Sequence, residues 1–96
     1  MADEEDLQEL RNGNQDMVRR DLRGADLSDS DWSGHNFSNA HLEGANFSNA
    51  VLSGSDFTKA LISNSNAAGA DFSSIIAQQT IFFSINFSGT FFKIAI

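Results

Sequence analysis

From Arg20 onward, every fifth residue of this chain is apolar, without a break. The series runs Leu22, Leu27, Trp32, Phe37, Leu42, Phe47, Leu52, Phe57, Ile62, Ala67, Phe72, Ala77, Phe82, Phe87 and Phe92. In a chain that is 41% hydrophobic, an unbroken run of this kind in one register arises by chance on the order of once in a million trials. A period of five fits neither the 3.6 of an α-helix nor the 2.0 of a flat strand. The chain must therefore turn a corner once per repeat.

The other slots of the pentad have their own chemistry. Two residues before the centre the side chain is small, as at Ala25, Ser30, Ala40, Ala45, Ala50, Ser55, Ala60, Ser65 and Ala70. One before it the residue is often Asp or Asn, as at Asp21, Asp26, Asp31, Asn36, Asn46, Asp56, Asn66, Asp71 and Asn86. The residue after the centre is mostly Ser, and two after it Gly takes six of its seven occurrences. The centre and the small residue point inward, the small one leaving room for its large neighbour. Gly, Asn and Asp supply the backbone freedom that a corner needs. A coil this narrow cannot bury its own centre, so stacked coils, pairing at about 4.8 Å, must supply the core.

In these slots the sequence resembles the pentapeptide-repeat family, whose pattern is roughly Ala-Asp/Asn-Leu/Phe-x-x. The matching residues are Ala25-Asp26-Leu27-Ser28-Asp29, Ala45-Asn46-Phe47-Ser48-Asn49 and Ala70-Asp71-Phe72-Ser73-Ser74, with the entry Asp21-Leu22-Arg23-Gly24-Ala25-Asp26-Leu27. The resemblance spans about residues 15 to 92. It implies an all-β chain folded as a right-handed quadrilateral β-helix, with four pentads per coil and about four coils. That count sets the expected columns: Leu22, Leu42, Ile62 and Phe82; Leu27, Phe47, Ala67 and Phe87; Trp32, Leu52, Phe72 and Phe92; Phe37, Phe57 and Ala77. The thirteen centres other than Ala67 and Ala77 are the expected core, and the two alanines would leave gaps unless neighbouring Phe rings lean in.

The expected division is a cap over residues 1–14 and the repeats over 15–96. Acids at the start of residues 3–12, Leu7 and Leu10 on one face, Arg11 near the end and Asn12-Gly13 after it predict a short helix. Leu7 and Leu10 would cover the first coil, because the end of a stack is an unpaired edge. A disordered acidic tail is the alternative. At the other end the polar slots are lost after Phe72, where Ile75, Ile76, Ile81, Phe83, Ile85, Phe91, Ile94 and Ile96 are all apolar outside the centre. Exposed clusters of this kind mark interaction surfaces. Ile81, Phe83, Phe91, Ile94 and Ile96 are therefore the expected interface of a homodimer, as the resemblance also implies; self-burial in a distorted last coil is the alternative.

The formal net charge is −7, concentrated ahead of the repeats, and no basic stripe suits nucleic acid. Gln78, Gln79, Asn86 and Lys93 interrupt the apolar stretch from 75 to 96, which argues against a spanning segment. The acidic opening reads as neither secretory signal nor transit peptide, so the expected location is cytoplasmic. Without Cys there is neither a disulfide framework nor a Cys-based metal site.

His35 falls in the small inward slot, where a bulge or an outward turn is expected, and His41 takes an Asp/Asn slot. Neither has a nucleophile or ligand set at useful spacing. The expectation is thus a non-enzymatic scaffold or regulator without cofactor or metal, whose protein partner is unknown. The resemblance implies a bacterial, often cyanobacterial, setting. Its alternative is a DNA mimic that inhibits DNA gyrase, as some family members do.

Overall fold

Backbone pairing follows the pentads. The computed structural model describes residues 1–95. Parallel bridges join Asp16 to Asn36, Asn36 to Asp56 and Asp56 to Ile76, and the three other columns keep the same twenty-residue offset. Where pairing lengthens it forms β1 (Leu61–Ser63), β2 (Asp71–Ile75), β3 (Ile81–Phe83) and β4 (Phe91–Ile94). β1 pairs with β3 and β2 with β4, again parallel and twenty residues apart except at a bulge between Ser73 and Ile75. Successive twenty-residue stretches therefore lie on one another as layers.

One side of one layer shows the pattern. The Leu42 amide donates to the Leu61 carbonyl (2.9 Å), the Leu61 amide to the Ala40 carbonyl (3.1 Å), and the Gly44 amide to the Ser63 carbonyl (2.7 Å). Each corner falls two residues past a centre, at a residue of positive φ from Arg19 (62°) to Gly89 (66°). At most corners the amide one residue further donates back to the carbonyl of the centre, as Ala40 does to Phe37 (3.0 Å). Positive φ at the third residue with that bond is the type II turn. Nine corners use a residue other than Gly. Gly69 has a second reason to be Gly, because a Cβ there would run into Oδ1 of Asn49 in the layer above.

The Asp and Asn slots do a different job from the expected one. They brace the flat sides rather than the corners: each side chain accepts a hydrogen bond from the amide two residues on, as Asn46 does from Ser48 (3.0 Å) and Asp71 from Ser73 (2.9 Å).

Inside, Leu22, Leu27, Phe37, Leu42, Phe47, Leu52, Phe57, Ile62, Ala67 and Phe72 are buried, together with Met17 and Ile75. Phe72 is the hub, its ring lying 5.7 to 6.4 Å from those of Phe47, Phe57, Phe87 and Phe92. Four expected core residues sit differently. Trp32 is half-buried, its Nε1 turned to the Leu27 carbonyl (2.8 Å). Phe82 is only partly buried, while Phe87 and Phe92 are exposed, because among the described residues no layer lies beneath them.

His35 also departs from expectation, for its ring points inward and is 7% exposed. It stacks on Phe37 at 5.7 Å and meets Trp32 edge-on at 5.9 Å, filling space that the outward tilt of Trp32 leaves open. Its corner lacks the usual back-bond. Instead Ser55, one layer on, accepts from the His35 amide (3.1 Å) and donates to the Trp32 carbonyl (3.0 Å).

Helix α1 (Glu4–Arg11) lies on the first layer with Leu7 and Leu10 buried. Asp3 caps it, accepting from the Asp6 amide (3.1 Å), Glu4, Glu5 and Asp6 fill its first turn, and Arg11 its last. Such charges suit the helix dipole. The Asp6 carboxylate reaches the Arg20 guanidinium (2.8 Å) and the Asp21 amide (2.9 Å).

Candidate interaction surface

The last layer differs from those above in what it exposes. Phe91 is 73% exposed, Phe83 67% and Ile81 52%, with Ile94, Phe92, Ile76 and Phe87 also open to solvent. Phe87 and Phe92, with the half-buried Phe82, meet one another edge-on at 5.4 to 5.9 Å and form an aromatic floor. The cause lies in the slots. Where upper layers place a polar residue before every centre but those after Val51 and Leu61, the last places Ile76, Ile81 and Phe91, and only Asn86 keeps the pattern. That Asn still braces its side, accepting from the Ser88 amide (3.0 Å) and hydroxyl (2.6 Å).

The backbone at this end is open as well. β3 and β4 each pair on one side only. The amides of Phe87 and Gly89 stand where Phe47 and Asn49 donate to the next layer, and among the described residues no backbone carbonyl meets them. The surface thus combines apolar side chains with unpaired strand edge. Of the expected interface residues it brings together Ile81, Phe83, Phe91 and Ile94, while Ile96 lies outside the described residues. Sequence reasoning missed Ile76, Phe87 and Phe92. The signal for Ile76 was its Asp slot; the other two are centres whose exposure follows only from being last in their columns.

The opposite end is acidic. Every column begins with Asp: Asp16, Asp21, Asp26 and Asp31. The Arg23 guanidinium, in two bonds of 2.8 Å, holds the Asp21 carboxyl down to about 2. The Ser28 hydroxyl lowers that of Asp26, the Ser33 amide that of Asp31, and the Asp21 amide that of Asp6.

Elsewhere the chemistry is sparse. His41 is exposed, 3.5 Å from the Glu43 carboxylate. His35 has Nδ1 at 3.1 Å from the Ser33 carbonyl and is closed off from solvent. A hollow of about 330 Å³ beside α1, between Leu7, Arg23 and Asp26, pairs no nucleophile with a base. Among the described residues no group of three His, Asp or Glu side chains gathers as a metal site. None of the described helices is long and apolar enough to cross a membrane.

Layers of pentads closed by type II turns and braced by Asp and Asn define a repeat protein. Residues 21–58 match the family model described as pentapeptide repeats, in eight copies, so this stretch carries repeats of the pentapeptide type. No curated protein matches it. Among solved structures, a pentapeptide repeat protein from Nostoc Pcc 7120 is 26% identical, over 98% of this chain and 78% of that one, with a TM-score of 0.42. Another, from the cyanobacterium Cyanothece 51142, is 14% identical over 94% and 91% of the two chains, with a TM-score of 0.43. A third, from the thylakoid lumen of Arabidopsis thaliana, is 24% identical over 62% of each chain, with a TM-score of 0.23.

Proposed function

We propose that the chain is a non-enzymatic interaction module: a right-handed quadrilateral β-helix of about four coils over residues 15–96, capped by residues 1–14, that forms a homodimer through its last coil. The carrying observation is the last layer, where Ile81, Phe83 and Phe91 are more than half exposed beside strands paired on one side only. The two shorter dimensions of the molecule are 23 and 21 Å. Two such faces in contact would bury on the order of 1,000 Å² in total, the lower bound for a specific interface. Lys93 is the only charged side chain beyond Phe72, so two copies meet there with little repulsion.

Light scattering on a size-exclusion column tests this. The expected result is twice the chain mass for the parent and a single chain mass for Phe83→Glu. A parent that stays monomeric at high concentration refutes the dimer. Such a module acts by presenting flat, rigid sides to another protein, and it needs neither cofactor nor bound metal. The DNA-mimic reading would need acids along the whole length of the stack. Here the columns start at Asp and mostly end at apolar residues, and the acids near the start are engaged in their own turns. Inhibition of gyrase supercoiling at low micromolar protein would reverse that ordering.

A further inference from the structure

The two ends of the stack have matching outlines and opposite finish. Each column runs through four described residues, for example Asp21, His41, Leu61 and Ile81. A second copy placed on the first layer would therefore continue every column in register, with Ile81 over Asp21 and Phe82 over Leu22. Such head-to-tail stacking does not close, so it would propagate as a fibre. An unpaired parallel edge is a template for it.

Between layers, the residue before each centre uses both of its backbone groups toward the layer above. Leu61 accepts from the Leu42 amide and donates to the Ala40 carbonyl. In the first layer Asp21 has no layer above, yet both groups are taken. Its carbonyl accepts from the Asp3 amide (3.0 Å) and its amide donates to the Asp6 carboxylate (2.9 Å). Asp3 and Asp6 thus stand in for the amide and carbonyl that another rung would bring. Leu7 and Leu10, both buried, cover the apolar centres that rung would cover. In the neighbouring column Asn14 Oδ1 accepts from the Asp16 amide (2.9 Å).

We infer that α1 is a decoy rung: it occupies the site where the last layer of a second copy would dock, and so restricts self-association to the C-terminal end. The occupant of the first layer without α1 is a second copy of this chain, because the register, the column outline and the donor–acceptor pair fit that surface. The inference rests on the stickiness of the C-terminal end proposed above, but it concerns the opposite face.

The test uses the full chain. In Leu7→Glu/Leu10→Glu the helix loses its apolar seat, and in Asp6→Ala the mimic carbonyl and the Arg20 pair are removed. The expected result for L7E/L10E is a scattering mass that climbs several-fold beyond that of the parent as concentration rises, with filaments in negative-stain microscopy. Adding F83E and F91E to that variant should abolish the growth, since a chain needs both ends. A cap variant that keeps its strand circular dichroism and the parent's mass overturns the inference. Should L7E/L10E lose its strand signal, D6A decides by the same criterion. The dimer reading is scored separately, by the parent against F83E alone: a monomeric parent whose cap variant forms filaments would sink the dimer and leave the decoy rung standing.

Discussion

Ser55 shows how one residue can replace a corner. The amide of His35 and the carbonyl of Trp32 would ordinarily bond to each other, and instead both bond to the Ser55 hydroxyl. Removing it leaves the buried His35 amide and the part-buried Trp32 carbonyl without that partner, at about 1–3 kcal/mol for a fully buried group. Ser65 also donates to main-chain carbonyls, Leu42 and Ser63, but the Leu42 carbonyl keeps its bond from the Ala45 amide (3.1 Å). Ser55→Ala is therefore expected to lower stability in urea by at least twice as much as Ser65→Ala. Equal losses would mean that the Trp32 corner does not depend on the hydroxyl. This part of the structure was not legible in the sequence. The slot pattern marked His35 as a misfit, yet whether it turns out or in depends on the tilt of Trp32 and on a serine twenty residues later. The slots themselves were legible, because each is filled for a local reason that recurs along the chain, and only the division of labour between corner and side had to be read from the backbone.

At the scale of the element, α1 and the first layer share an electrostatic dependence on pH. Asp21 is held to about 2 by Arg23, and Asp6, Asp26 and Asp31 are lowered by their own hydrogen bonds. Groups whose folded value is depressed contribute stability that is complete above the unfolded value near 4 and is lost as pH falls through the folded value. Through these carboxyls the melting temperature should thus fall between about pH 4 and 2. Arg23→Gln should make that fall shallower, because the guanidinium is the first cause of the Asp21 shift. A profile unchanged by the substitution would mean that the exposed pair adds nothing measurable, as many surface pairs do. The helix itself was readable from its acids, its two leucines and Asn12-Gly13. The docking of Asp6 on Asp21 was not, since it joins residues 15 apart through a tertiary contact.

For the whole molecule, the pairing offset of twenty residues is what ties every part to every other. An insertion can respect it or violate it. Duplicating Ala45–Asn49 after Asn49 adds one complete pentad, so each later centre stays a centre and each corner keeps its positive φ. Inserting a single Ala at the same place pushes every later residue into the wrong slot. The first variant is expected to keep its strand circular dichroism with a melting temperature within about 10 °C of the parent, and the second to lose cooperative unfolding. If both survive alike, the slots are not what hold the layers together. The duplication also has an effect unrelated to stability. It would swing the apolar floor and its seven exposed side chains by one side of the stack relative to α1. Residues are the teeth of a gear here: whole pentads index the terminal surface from one heading to the next, so the direction a bound partner faces could change without altering any contact that binds it.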